Sequence, residues 1–208
     1  MRFLTLCLIL SSFFFSDTFA TNPARLDEKV EMKTVLGVAY NSMLYKTSIS
    51  FREYAFSGLV LFKKQEMDSS THIVFMSEFG MTMLDIKYKN DQFEVVSAKE
   101  FFSHPKLLQV IFDDFRILLQ DLNKIEKVRF STTCKEKTNK LKFRHFSDTF
   151  IYLYQSDFLV KQAKWRKNML RVVKVQFERN AAGQPQTMNF THRGVSLVVN
   201  MELLNLKE

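Results

Sequence analysis

The stretch that decides the fold is THIVFMSEFGMTMLDIKY, residues 71–88. Apolar side chains alternate along it, so that Ile73, Phe75 and Phe79 share one face, and Gly80 interrupts the pattern. A period of two residues is typical of strands whose two faces have different surroundings. The pattern predicts two strands, residues 71–79 and 81–88.

The same alternation extends in both directions along the chain, with turn residues between the segments. Short strands at this spacing indicate a mainly β (α+β) fold, a single curled antiparallel sheet. Gly58 lies inside the first segment and predicts a bulge or bend there. The other predicted strands are residues 47–65, 93–97, 128–132, 141–146, 149–154, 158–165, 169–179, 187–191 and 195–203.

The period changes after Ser103, which is a typical N-cap and is followed two residues later by Pro105. Apolar residues then recur at helical spacing and predict an amphipathic helix over residues 105–120. We expect Asp113, Asp114 and Arg116 on its solvated side. A second, shorter helix is predicted over residues 24–36.

The N-terminus has the form of a secretory leader. Arg2 is followed by an apolar run over residues 3–15 and by small residues before Ala20. This pattern predicts a signal peptide, residues 1–20, and one exported domain, residues 21–208. Cys134 is then the single cysteine of the mature chain, and we expect it in the core.

Composition and motifs exclude several classes of protein. The chain of 208 residues is 46% apolar and has only 5 Gly and 3 Pro, which excludes disordered and collagen-like chains. Its net charge of +8 favours an anionic partner. It carries no nucleophile elbow, phosphate loop or metal-binding motif, and its four histidines are far apart in sequence. We expect no enzyme activity, cofactor or metal.

The surplus of apolar residues leaves two interpretations open. Several strands are apolar on both faces, whereas a sheet with one solvated face should alternate. The interior is then either a filled core or an apolar cavity for an acyl chain. The candidate cavity residues are Phe56, Val60, Phe62, Phe75, Leu84 and Met188.

A cluster of positive charges near residue 165 is the other unusual feature. No acidic residue occurs between positions 161 and 174. The cluster is either a solvated edge protected by cations or a contact with an anionic membrane surface, with the tryptophan at the interface. Because export separates the chain from nucleic acid, we expect no nucleic-acid partner. The candidate residues are Lys161, Lys164, Trp165, Arg166 and Lys167.

Residues 56–60 and 73–86, followed by the pattern Pro185-x-x-Met188-x-x-Thr191-x-x-Gly194-x-x-Leu197, resemble the LolB family of outer-membrane lipoprotein receptors, in the LolA/LolB superfamily. The resemblance implies a half-barrel of about eleven antiparallel strands, capped by one or two helices around an apolar cavity for lipoprotein acyl chains. It also implies that Phe79 and Gly80 form the loop that contacts the membrane during transfer.

That family's receptor is lipidated at an N-terminal cysteine, which this mature chain lacks. This departure from the family leaves a soluble carrier or a divergent relative, in the periplasm or at the periplasmic face of the outer membrane. We expect a periplasmic protein that shelters lipid or lipoprotein acyl chains and aids their transfer to the outer membrane. The alternative is a non-catalytic interaction or scaffold module of the cell envelope with a filled core.

Overall fold

The computed structural model describes residues 35–36, 40–119, 128–133, 138–145, 148–154, 159–167 and 171–204. The predicted signal peptide, nearly all of the predicted helix over residues 24–36, and Cys134 lie outside these ranges. A 3-10 turn, Glu100–Ser103, precedes the helix α1, Pro105–Leu119. The strands in the described residues are β1 Ser42–Phe51, β2 Tyr54–Gln65, β3 Ser70–Ser77, β4 Thr82–Lys89, β5 Gln92–Ala98, β6 Val128–Thr133, β7 Thr138–His145, β8 Asp148–Tyr154, β9 Val160–Lys167, β10 Arg171–Arg179, β11 Pro185–Arg193 and β12 Leu197–Leu203.

The strands form one antiparallel sheet, which confirms the predicted fold class. The order across the sheet is β5-β4-β3-β2-β1-β12-β11-β10-β9-β8-β7-β6. Each strand pairs with its neighbours in sequence, except that β5 and β6 do not pair and that β1 pairs with β12, which joins the first strand to the last. The sheet is not closed into a barrel, because β5 and β6 are its two edges.

Within the described residues the sheet has twelve strands where about eleven were expected, and residues 47–65, predicted as one strand, lie in two strands. β1 pairs with β2 along its whole length, and a tight turn at Arg52 and Glu53 joins the two strands. Arg52 adopts a φ of 55°, in the left-handed region. Tight hairpins usually place Gly, Asn or Asp at such positions, so this turn has no recognisable signature in the sequence.

The sheet curls around α1. Phe112 of α1 stacks on Phe93 of β5, with 4.8 Å between ring centroids. On the other side, the Tyr152 hydroxyl of β8 donates a hydrogen bond of 3.0 Å to the Ile117 carbonyl oxygen of α1. In a flat sheet, β5 and β8 would be nine strand spacings apart, or roughly 43 Å. A helix about 10–12 Å wide can touch both strands only if the sheet bends around it.

Gly58 marks a close approach between strands rather than the predicted bulge or bend. Its pairing with Thr47 and Ser77 is regular. A Cβ atom at position 58 would lie 2.2 Å from the Met76 carbonyl oxygen. The register shift lies one strand further on, where β3 pairs with β4 between Phe75 and Met76. The absence of a side chain at Gly58 leaves room for the carbonyl oxygen of Met76.

The helix carboxylates are buried, which corrects the prediction that they lie on a solvated side. Asp113 and Asp114 are 1% and 6% exposed. Because the curled sheet surrounds α1 on more than one side, a polar stripe of the helix also meets protein. Within the described residues, α1 lacks the length and apolar character that a helix needs to cross a membrane.

Candidate functional site

A cavity of about 770 Å³ opens at one end of the sheet. The β1–β2, β3–β4 and β11–β12 turns all lie at this end because antiparallel strands alternate in direction, and α1 starts there too. We call it the hairpin end. The residues that line the cavity come from five separate segments of the chain, and its apolar walls include Phe51, Phe101, Leu107, Val110, Val195 and Leu197.

Positive charges surround this apolar cavity. Arg52, Lys106 and Arg171 all line it, together with the acidic residue Glu100. The guanidinium of Arg52 lies over the Phe51 ring, 5.5 Å from its centroid. The start of α1 adds the partial positive charge of a helix N-terminus. The cavity thus combines an apolar interior with a net positive rim.

Backbone hydrogen bonds fix the wall between the β1–β2 and β11–β12 turns. The Arg52 amide donates to the Ser196 carbonyl oxygen at 3.1 Å, which joins the two turns. The Leu197 amide donates to the Val195 carbonyl oxygen at 2.9 Å. Gly194 supports the turn with a φ of 92°, a conformation open to glycine at little cost. The wall is therefore preformed.

A buried histidine–aspartate pair ties α1 to this wall. His192 Nε2 lies 2.8 Å from Asp114 Oδ1, and His192 Nδ1 lies 2.8 Å from the Leu197 carbonyl oxygen. The two side chains are 2% and 8% exposed. A carbonyl oxygen can only accept a hydrogen bond, so Nδ1 carries a hydrogen. His192 and Asp114 therefore share one further proton between Nε2 and Oδ1.

The pKa values of both partners follow from this arrangement. Burial raises the pKa of the Asp114 carboxyl, and the hydrogen bond from His192 opposes that shift. For His192, burial disfavours the charged ring, but the hydrogen bond and the charge of Asp114 outweigh burial and raise the pKa. The shared proton is thus retained to a higher pH than in free histidine.

Asp113 is a second buried carboxyl on the same helix. Burial raises its pKa to about 6, against the lowering effects of Gln109, Lys167, Arg116 and Arg171. Gln109 Nε2 donates a hydrogen bond of 2.9 Å to Asp113 Oδ1. The charges of Lys167 and Arg171 thus act on a buried carboxyl inside the curl.

The turn between β3 and β4 carries a solvent-exposed aromatic side chain. Phe79 is 96% exposed and Met81 is 54% exposed. The Gly80 amide donates to the Ser77 carbonyl oxygen, and the Ser77 amide donates to the Met81 carbonyl oxygen, both at 2.9 Å. Gly80 has a φ of 78°. A hydrogen-bonded turn therefore holds Phe79 in solvent at the hairpin end.

The predicted cavity residues do not line the cavity at the hairpin end. Val60, Phe75 and Leu84 line a space of only about 50 Å³ beside the helix. Phe62 and Met188 are fully buried in the core. Phe56 packs on Phe101, a residue of the cavity wall, with 4.7 Å between ring centroids.

The predicted anionic-surface residues separate onto two faces of β9. Trp165 is 1% exposed and its Nε1 donates a hydrogen bond of 3.0 Å to Asp148 Oδ2, so its predicted place at a membrane interface is wrong. Alternation along the strand explains this, because Trp165 and Lys167 point to the side opposite Lys164 and Arg166. Lys161 is exposed near the other end of the sheet.

Sequence reasoning missed the cavity at the hairpin end and the His192–Asp114 pair. The cavity is built from the ends of segments that are far apart in sequence, and the two side chains of the pair are 78 residues apart. Neither the cavity nor the pair leaves a recognisable pattern in a short stretch of the sequence. The described residues contain no group of three or more side chains placed to hold a metal ion.

No protein family and no curated protein matches the sequence. Among solved structures, the chain is similar to a DUF1329 family protein from Desulfovibrio piger, with a TM-score of 0.45 and 9% sequence identity. That alignment covers 81% of this chain and 85% of the other. A similarity at this level assigns neither a family nor a function, and the resemblance to LolB stays a prediction.

Proposed function

We propose that this protein is an exported, non-catalytic carrier that binds an amphiphile with an acyl chain and an anionic head group at its hairpin end. In this role it would shelter the acyl chain in the periplasm and aid transfer of the lipid or lipoprotein to the outer membrane. The observation that carries the proposal is the apolar cavity of about 770 Å³ with its positive rim.

The size and the lining of the cavity suit such a ligand. Sites for small molecules have volumes of about 300–1,000 Å³ and are mostly apolar, with a few polar groups that orient the ligand. Each methylene group of a buried acyl chain contributes about 0.8 kcal/mol. Arg52, Lys106 and Arg171 would meet the head group at the rim.

The exposed Phe79 supports a transfer role because it lies at the same end as the cavity. Inserting one Phe into a membrane contributes about 2 kcal/mol, too little to anchor a protein. A contact of this strength would be reversible. It would bring the cavity to the membrane for exchange of the ligand.

The buried His192–Asp114 pair does not suggest catalysis. Both ring nitrogens of His192 are engaged, and the side chain is 2% exposed. A general base needs a free nitrogen within hydrogen-bond reach of the substrate. The pair instead fixes α1 beside the cavity.

The proposal is tested by filling the cavity. Val195→Trp places a large side chain in the wall, and we expect it to weaken binding of a fluorescent fatty acid at least tenfold. The matched control is Val198→Trp, since Val198 is 40% exposed and is not a lining residue of the cavity. Equal affinity of the two variants and the unmodified protein would count against this site.

The close packing around α1 favours a second candidate, an interaction or scaffold module of the cell envelope. This candidate predicts no uptake of any amphiphile. If the purified protein takes up neither fatty acid nor lysophospholipid, and carries no lipid after purification, the carrier proposal fails and the scaffold remains.

A further inference from the structure

The outer face of strands β7 to β11 is densely cationic. Strand register places fifteen residues of this face in three rows, and seven of them are Lys or Arg while none is Asp or Glu. The rows are Lys140, Leu153, Gln162, Gln176, Asn189; then Lys142, Ile151, Lys164, Lys174, Thr191; then Arg144, Thr149, Arg166, Val172, Arg193. We call the seven cations the cationic face.

The direction of these side chains follows from alternation along the strands. Trp165, Val173 and Val175 are buried on the inner side, so their neighbours Lys164 and Lys174 point outward. All seven cations are half-buried or exposed. The aliphatic parts of these side chains thus cover the sheet, while their charged ends reach solvent.

No carboxylate lies among these cations within the three rows. None of the seven forms an ion pair with another described residue. Lys164 and Lys174 lie directly opposite each other on β9 and β10. Like charges in that position destabilise a sheet. By contrast, Lys87 of β4 forms an ion pair with Asp68 of the β2–β3 turn.

The residue types indicate the kind of partner. Protein interfaces are depleted in Lys and enriched in aromatic anchors, whereas this face is rich in Lys and carries no aromatic side chain in its three rows. Proteins that bind single-stranded nucleic acid stack bases on aromatic rings, and Trp165 lies on the opposite side. Anionic lipid head groups require only positive charge.

We propose that the cationic face binds the surface of an anionic phospholipid membrane. Arg144, Arg166 and Arg193 form the row next to the hairpin end, so this face adjoins the end that carries Phe79. The proposal is independent of the cavity, because a protein without any bound amphiphile would still present these charges.

The test compares the whole protein with a variant that lacks three of the charges: Lys142→Gln, Lys164→Gln and Lys174→Gln. Co-sedimentation measures binding to vesicles of phosphatidylcholine alone and to vesicles with about one third phosphatidylglycerol. Each cation near such a surface contributes about fivefold in affinity, so we expect the triple variant to bind anionic vesicles roughly a hundredfold more weakly. Added salt should weaken binding of the unmodified protein.

The matched control removes three exposed lysines elsewhere, Lys46→Gln, Lys63→Gln and Lys89→Gln, with the same change in net charge. We expect this control to bind far more tightly than the first variant. Equal losses would mean that net charge alone acts and would overturn the proposal, as would unchanged binding of the first variant. Binding to polyglutamate or to a single-stranded oligonucleotide without binding to anionic vesicles would also overturn it.

Folding is checked separately. Removing Lys164 and Lys174 relieves a like-charge contact, so the thermal midpoint of the triple variant should stay the same or rise. The single tryptophan of the chain, Trp165, is buried and reports unfolding through its fluorescence. A lower midpoint would direct the binding test to a second variant, Arg144→Gln with Arg166→Gln, which should lose affinity about 25-fold.

Discussion

The bond between His192 and Asp114 should make the stability of the fold depend on pH. The pKa of His192 is raised in the folded protein, so the folded state keeps a proton that an unfolded histidine releases near pH 6.5. The contribution of this group is therefore fully present below about pH 6.5 and is lost as pH rises through the raised pKa. Thermal unfolding measured from neutral to alkaline pH checks this.

Asp113 adds an effect of the same sign on stability, in a lower range of pH. Its pKa is raised to about 6, so the folded state binds more protons than the unfolded state between about pH 4 and pH 6. The free energy of unfolding should fall as pH rises through that window too. The effect of His192 on stability is therefore measured above this pH window, where Asp113 no longer contributes to the change.

Asp114→Asn is the variant that isolates the shared proton. Its amide can donate to Nε2 of a neutral His192, while Nδ1 keeps its bond to Leu197. We expect it to flatten the decline in stability above pH 6.5. Asp114→Ala, which leaves His192 buried without a partner, should lower the free energy of unfolding by about 3 kcal/mol. An unchanged decline in the Asn variant would show that this proton is not its source.

Among the elements, the β2–β3 pairing depends on the absence of one side chain. A Cβ atom at position 58 would meet the Met76 carbonyl oxygen at 2.2 Å, and backbone cannot move aside as a flexible side chain can. We expect Gly58→Ala to lower the free energy of unfolding by about 2–3 kcal/mol. Denaturant titration followed by Trp165 fluorescence measures this.

Two substitutions separate this clash from other effects. Ser57→Ala changes the neighbouring exposed residue and should alter stability by less than about 0.5 kcal/mol. Gly80→Ala meets no atom within 4 Å but keeps a φ of 78°, and it should cost only about 1 kcal/mol. If Gly58→Ala lowers stability no more than Gly80→Ala does, then β2 and β3 can move apart without a loss of stability.

The strands could be predicted from the sequence because alternation is a local property that each strand carries in full. The tight turn at Arg52 could not, because it has no glycine or asparagine to mark it. The burial of Asp113 and Asp114 also could not be predicted: helical spacing identifies a polar stripe but not the curled sheet that covers it. The alternation pattern placed Phe79 at the end of a strand, whereas β3 ends at Ser77, and only the resemblance implied that Phe79 lies in an exposed turn.

At the scale of the whole molecule, the pairing of β1 with β12 holds two half-sheets together. β1 to β5 form one half, and β6 to β12 form the other. The cavity at the hairpin end uses residues of both halves, since Phe51 comes from one and Leu197 from the other. Because these residues pair directly, the same contact that completes the sheet also builds the cavity wall.

The orientation of the sheet at a membrane can be tested with one exposed apolar residue at each end. Phe79 at the hairpin end and Met67 at the opposite end are both fully solvent-exposed apolar residues in turns. If the hairpin end meets the membrane, Phe79→Ser should weaken binding to phospholipid vesicles roughly thirtyfold, the equivalent of about 2 kcal/mol for one buried Phe. Neither Phe79→Ser nor Met67→Ser should change the thermal midpoint, because neither side chain packs against the core.

Met67→Ser is the matched control, since it removes an equally exposed apolar side chain from the other end. We expect it to bind vesicles as the unmodified protein does, in a flotation assay at low salt. A comparable loss in both variants would indicate adsorption through any exposed apolar group. If only Met67→Ser loses vesicle binding, the opposite end of the sheet meets the membrane and the cavity lies away from it. That orientation is incompatible with transfer through the hairpin end.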